Sequence, residues 1–220
     1  MSYWRYLDPQ DPATIPINHK QLYTYESQGS TVFNFMVGAL MPSWNVWRYA
    51  VQNTPEYSMT FDGPYAGPGA AGALDWAHTI QKWQRWEVYV VLDEPYTAAN
   101  GQIHGWVDAQ PSITAVEQNL VDGDSDIADV RLGHMFQGFH LGGTDRAFFD
   151  DVYIDATPAR VEIGDGATWS TCNHREIQPA SAWSDGSITV TLNQGAFDSL
   201  SGKYLYVVDE NGAVNENGYP

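Results

Sequence analysis

The densest chemistry in the chain lies between Trp83 and Asp108. In an extended strand successive side chains alternate faces, so Trp83, Arg85, Glu87 and Tyr89 point one way and Gln84, Trp86, Val88 and Val90 the other. The second set is the more apolar and is expected to face a core. After Asn100-Gly101, the residues Gln102, His104, Trp106 and Asp108 share one face, with Ile103 and Val107 on the opposite one. Paired as a hairpin, the two segments bring Arg85, Glu87, Tyr89, Gln102, His104, Trp106 and Asp108 together. Rings beside hydrogen-bonding groups suit a hydroxyl-rich ligand, because C–H faces stack on rings while hydroxyls meet polar groups. The same residues also suit an ordinary sheet face with cross-strand pairs. A hydrolytic pair of carboxylates would have to come from Glu87 and Asp108, and Glu87 beside Arg85 reads more simply as an ion pair.

Asp122, Asp124 and Asp126 stand at alternate positions, like the opening of a calcium loop, since hard cations need clustered oxygens. The EF-hand continuation fails, because Ile127 and Gly133 occupy its sixth and twelfth positions. A solvated acidic turn is the plainer reading, so the expected cofactor is none, or a structural calcium ion. The six histidines form no ligand set: His134 and His140 flank an apolar stretch, and His174 precedes Arg175-Glu176. Cys172 is the single cysteine, which excludes an internal disulfide and a cysteine-based zinc site. His174, two residues on, is poorly placed to activate it. No Gly-x-Ser-x-Gly, phosphate loop or dinucleotide fingerprint is present.

These groups belong to a chain of 220 residues with 10 Lys+Arg against 27 Asp+Glu, a formal charge of −17. Its lysines are Lys20, Lys82 and Lys203. Such a surface repels phosphate backbones and anionic headgroups, which excludes nucleic acid as a non-specific partner. No apolar run reaches membrane-spanning length, so no membrane insertion is expected. Aromatic residues make up 14% of the chain, a load that excludes disorder for most of it. The first residues lack the basic and apolar stretches of a signal peptide. That fits a cytoplasmic protein, a virion component or a trimmed segment of an exported protein; an extracellular or surface-associated place is the expectation adopted.

The elements that must position these groups read as strands. Segments rich in Val, Ile, Thr, Tyr and Trp alternate with Gly, Pro, Asn and Asp clusters. Strands are expected at 31–38, 45–51, 57–61, 83–92, 102–108, 129–132, 148–154, 159–163, 175–177, 187–192 and 204–208. Helix signals are few, with a turn or two possible at 70–80 and at 112–120. Regular strand spacing without intervening helices predicts a β-sandwich. Residues 1–20, with Pro9, Pro12 and Pro16, read as an extended N-terminal arm, and 21–157 as the main sandwich. Residues 158–220, past a composition shift at Thr157-Pro158, read as a partial sheet of at most five short strands. Such a sheet exposes an edge that the first domain, the arm or another chain must cover. The arm is therefore a route to a homo-oligomer.

Trp83-Gln-Arg-Trp-Glu-Val-Tyr89, Asn100-Gly101, Trp106-Val-Asp108 and Phe149-Asp-Asp-Val-Tyr-Ile-Asp155 together resemble a concanavalin A-like jelly roll. The likeness is to the branch shared by bacterial polysaccharide lyases and LamG-type carbohydrate-binding proteins. The tail, through Ala159–Asp165, His174–Gln178, Trp183–Thr189 and Tyr204–Asp209, is similar to an immunoglobulin-like segment of the IPT/TIG kind that ends hypothetical secreted bacterial proteins. The resemblance spans roughly 31–220 and implies an all-β fold: a jelly-roll β-sandwich with a small C-terminal immunoglobulin-like β-sheet. It also implies structural calcium near the final strand of the jelly roll, which adds Asp151 to Asp122, Asp124 and Asp126 as candidate ligands.

Gln102-Ile103-His104 matches a short motif of one alginate lyase family. β-Elimination from a uronate needs a group that neutralises the carboxylate, a base and an acid. Arg85 with Gln102, then His104 and Tyr89, would fill those roles. The family's accompanying Arg-x-Glu-x-Arg and Tyr-x-Lys-Ala-Gly motifs are absent, and a chain of charge −17 is a poor host for a polyuronate. The expected function is non-catalytic polysaccharide binding by a bacterial or phage surface protein, through Arg85, Glu87, Tyr89, His104, Trp106 and Asp108. The alternatives are a structural subunit of a filament or virion assembled by strand exchange, and a uronate lyase.

Overall fold

Alternation along a strand decides which side chains can be buried, and burial in the structure follows it. The computed structural model describes residues 1–11, 19–26, 34–39, 47–54, 57–62, 80–95, 98–120, 126–136 and 145–220. Among these the chain is all-β apart from a short 3-10 turn at Trp169–Thr171. No helix among them is long and apolar enough to cross a membrane. The chain divides into two compact units, Ser2–Val152 and Tyr153–Pro220, a division that falls ahead of the composition shift at Thr157-Pro158.

The strands of the larger unit are β1 (Ser2–Asp8), β2 (His19–Glu26), β3 (Asn34–Ala39), β4 (Trp47–Thr54), β5 (Tyr57–Asp62), β6 (Trp83–Val91), β7 (Gly101–Val107), β8 (Gln110–Gln118), β9 (Ile127–Phe136) and β10 (Arg146–Tyr153). They form two five-stranded sheets in the orders β10-β1-β6-β7-β8 and β5-β4-β3-β2-β9. Two antiparallel meanders, β2 to β5 and β6 to β8, build most of each sheet. The chain then returns, β9 beside β2 and β10 beside β1. That nesting of the first two strands with the last two is the jelly-roll feature of this β-sandwich. It is confined to the outer two pairs.

The buried face of the first sheet is the apolar set expected from alternation, Trp86, Val88, Ile103 and Val107, joined by Tyr3 and Leu7. Trp86 sits opposite Tyr3 on one side and Val107 on the other. Each buried aliphatic side chain contributes about 1.5–3 kcal/mol over leaving it exposed. One cation shares this core. Arg5 Nη1 donates to Gln21 Oε1 of β2 at 2.8 Å, and the guanidinium lies 4.9 Å from the Trp86 ring centroid. A side chain of the first sheet thus bonds one of the second across the sandwich. Burial lowers the pKa of Arg5, against the opposing pull of Tyr3 and Asp108.

The structure departs from the sequence expectation in three places here, the first being β2 at His19–Glu26, where no strand was expected. Residues 2–8, read as part of an extended arm, form β1, which is hydrogen-bonded between β10 and β6. Arg5 at an inward position hides the alternation of Tyr3, Arg5 and Leu7. The segment 112–120, read as a possible helical turn, lies mostly in β8, with His104 opposite Thr114 and Ile103 opposite Ala115. Its β-branched Ile113, Thr114 and Val116 suit a pleated surface, and Ile113 and Ala115 are buried. The possible turn at 70–80 lies outside the described residues except for Ile80, which is buried.

The smaller unit holds β11 (Arg160–Gly164), β12 (Arg175–Gln178), β13 (Ala180–Ser184), β14 (Ser187–Val190) and β15 (Tyr204–Val208). They form a three-stranded sheet, β12-β11-β15, and a hairpin of β13 and β14. Glu162 is wholly buried at the centre of the sheet and accepts from Arg160 Nε at 2.5 Å and Arg175 Nε at 3.1 Å. The Arg175 guanidinium in turn lies 3.9 Å from the Trp169 ring centroid. Removing one member of such a buried set strands the others, at a cost of about 3–5 kcal/mol. The sheet edge at β15 is covered by the chain's own last residues. Leu205 and Tyr219 exchange backbone bonds at 2.7 and 3.0 Å, and Asn215 Oδ1 accepts the Val207 N–H at 2.7 Å. The backbone groups of that edge are thereby partly satisfied within the unit.

Candidate functional site

The β6–β7 hairpin sets the register on which any site here depends. Glu87 lies opposite Trp106, Tyr89 opposite His104 and Val91 opposite Gln102, a register that brings together the same-face sets expected from alternation. Both ends of the hairpin are pinned by a carboxylate. Asp93 is buried, and its Oδ1 accepts the Gly101 N–H at 2.8 Å while its Oδ2 accepts the Leu120 N–H at 2.6 Å. The exit of β6, the start of β7 and the end of β8 are thereby tied to one side chain. At the other end Asp108 and Ala109 join β7 to β8 with φ of +48° and +66°, the left-handed pair that a two-residue type I′ hairpin turn requires. Asp108 Oδ1 accepts the Arg85 N–H at 2.9 Å, and Oδ2 accepts Gln84 Nε2 at 3.2 Å.

On the solvent-facing side, Tyr89, His104 and Trp106 stand as a row of nearly parallel, half-buried rings. Tyr89 and His104 have centroids 6.3 Å apart at 24°, and His104 and Trp106 6.1 Å apart at 19°. His104 Nε2 lies 3.1 Å from Gln102 Oε1. Burial pushes the pKa of His104 below its ordinary value, because desolvation penalises the imidazolium. Beside the rings, Arg85 Nε lies 3.4 Å from Glu87 Oε1 and donates to Ser2 Oγ at 3.1 Å. The Arg85 and Glu87 side chains are only 5% and 8% exposed. They form a self-compensated strip in the floor of the face.

The structure therefore brings Arg85, Glu87, Tyr89, Gln102, His104 and Trp106 onto one face. Asp108 sits apart in the turn, with both carboxylate oxygens engaged by β6. Sequence reasoning missed the contribution of β1 and β10. Ser2 lies opposite Glu87, Trp4 opposite Arg85 and Tyr6 opposite Trp83. Tyr6 meets Trp83 at 5.6 Å and Phe148 of β10 at 6.1 Å between ring centroids. The alternation of Trp4 and Tyr6 against Tyr3 and Leu7 was the signal that could have found them.

The residues proposed for β-elimination, Arg85, Gln102, His104 and Tyr89, share this face, with Arg85 held by Glu87 and Ser2. Of the candidate calcium ligands, Asp122 and Asp124 lie outside the described residues. Asp126 is exposed ahead of β9, and Asp151 is exposed on β10. No group of three or more His, Cys, Asp or Glu among the described residues is arranged to hold a metal ion, so those residues alone do not assemble a calcium site. His174 Nε2 bonds Glu176 Oε1 at 2.6 Å, and Cys172 is buried with Sγ toward the Gly166 and Thr168 carbonyls.

Comparison with protein-family models, curated proteins and solved structures finds no match. The class is defined by the fold itself: an all-β sandwich whose first sheet presents an aromatic face to solvent.

Proposed function

We propose that the solvent-facing side of the first sheet binds neutral polysaccharide without chemistry, as a surface protein of a bacterium or virion would. The row of nearly parallel rings Tyr89, His104 and Trp106 carries this reading. Three nearly parallel rings grouped on one sheet face offer apolar surface to the C–H groups of a sugar, and Gln102 beside them offers hydrogen bonds to hydroxyls. The charges in the floor cancel, Arg85 against Glu87, which suits an uncharged ligand. The engagement of Arg85 by Glu87 and Ser2 also favours binding over elimination, which needs that guanidinium turned toward a uronate carboxylate. The inner position of β1 favours binding over assembly by a donated N-terminal strand.

Affinity electrophoresis through gels of neutral glucans, mannans and xylans, followed by glycan arrays, tests the proposal. A Tyr89→Ala, Trp106→Ala double variant is expected to lose affinity by about tenfold or more. Unchanged retention in that variant would remove the site from this face. Formation of unsaturated products from alginate or another polyuronate would replace binding by the lyase reading.

A further inference from the structure

We infer that this face carries two aromatic platforms, one at each end of β6, and takes an extended stretch of a linear, neutral polysaccharide long enough to reach both. The inference rests on the carbohydrate reading above and adds a second subsite to it. The first platform is the ring row of Tyr89, His104 and Trp106. The second is Trp83 with Tyr6 and Phe148, held at 5.6 and 6.1 Å between ring centroids.

Trp83 and Phe148 are 47% and 44% exposed. Large apolar side chains left in water on a sheet that already owns a full core have no packing task there, and clustered exposure of this kind marks a contact surface. Tyr6 lies behind them, opposite Trp83 and next along β1 on the face that carries Trp4 and Ser2. Trp83 and Tyr89 stand on the same face of β6, at its start and near its end. The register of β6 with β1 and β7 runs without a bulge. At 3.3–3.4 Å per residue Trp83 is about 20 Å from Tyr89 and about 13 Å along the strand from the level of Trp106, a span of several sugar rings.

Between the platforms runs the strip of Ser2, Arg85 and Glu87. Trp4 lies opposite Arg85 on the same face, and the Arg85–Glu87 ion pair leaves no net charge to attract an acidic ligand. The formal charge of −17 on the whole chain repels such a ligand further. Two stacking points joined by a stretch of no net charge recognise length, because the second contact is made intramolecularly once the first has formed.

The test is a titration of the full chain, by calorimetry and by NMR, with cello-, laminari-, xylo- and manno-oligosaccharides from monosaccharide to hexasaccharide. Affinity is expected to climb with length until a chain bridges both platforms. Trp83→Ala and Phe148→Ala should each weaken the hexasaccharide by about tenfold and leave the disaccharide unchanged. Both side chains are half in solvent, so neither variant threatens the fold. Trp106→Ala should weaken both lengths. Length-independent affinity, or equal losses of disaccharide and hexasaccharide in Trp83→Ala, would overturn the second platform. The binding reading would then survive as long as Trp106→Ala still weakened the disaccharide. Absence of binding by every neutral ladder would overturn both.

Discussion

Asp108 offers the sharpest test of how the site is held, because sequence and structure give it different tasks. By alternation it belongs with the ligand-binding side chains; in the structure its carboxylate ties the β7–β8 turn to Arg85 and Gln84 of β6. Asp108→Ala removes a charged acceptor from the Arg85 N–H, a bond of a kind worth about 1.5–3 kcal/mol, and a longer one from Gln84 worth about 1 kcal/mol. Alanine at φ +48° adds a left-handed penalty of about 1–2 kcal/mol. The turn is exposed, so water recovers part of the loss, and the net cost is about 2–4 kcal/mol. Asp108→Asn keeps an Oδ1 acceptor and tolerates the left-handed turn, so it should cost about 1 kcal/mol or less. Asp108→Gly relieves the backbone but not the lost acceptor, and should fall between them.

Urea unfolding followed by tryptophan fluorescence measures the order, and sugar titration of the folded variants measures the site. The expected ranking of stability is Asn above Gly above Ala, with the Asn variant matching the parent in the proposed sugar binding. An Ala variant within about 0.5 kcal/mol of the parent would refute the turn argument. So would an Asn variant of unchanged stability that no longer binds sugar, since Asp108 would then be a ligand contact.

Two further outcomes follow from Gly195 and His104. Gly195 has φ +53°, and a Cβ there would collide with the Glu176 carboxylate, which is held by the Ala196 N–H at 2.8 Å and by His174. Gly195→Ala should cost about 2–4 kcal/mol, and much less in a Glu176→Ala background; strictly additive costs in that double-mutant cycle would refute the collision. His104 has its folded pKa lowered from 6.5 by burial, so on acidification the unfolded chain takes up the proton first. Its contribution to stability is full above pH 6.5 and is lost as the pH falls from there through the folded value. An NMR titration of His104 should give a midpoint below 6.5, and His104→Phe should flatten the acid-side decline; a midpoint above 6.5 would contradict the burial argument.

Period-two alternation was enough to place the site's own hairpin. Trp86, Val88, Ile103 and Val107 turn inward and Arg85, Glu87, Tyr89, His104 and Trp106 turn outward, because a pleated strand offers each residue only two directions. The five strands of the smaller unit were within reach of the same reasoning, apart from β13, whose Ala and Ser residues carry little strand signal. Lateral order was not. Nothing local says that Ser2–Asp8 enters the sheet between β10 and β6, since the groups that make an inward Arg5 tolerable, Gln21 and Trp86, come from other strands. The same holds for Asp108, whose task depends on a backbone N–H 23 residues earlier, and for Tyr6, Trp83 and Phe148, which meet only because β1 lies between two late strands. Which way a side chain points is a property of the strand alone and is written in the sequence. Which strands become neighbours depends on long-range hydrogen bonds and shared burial, and only the folded chain decided that.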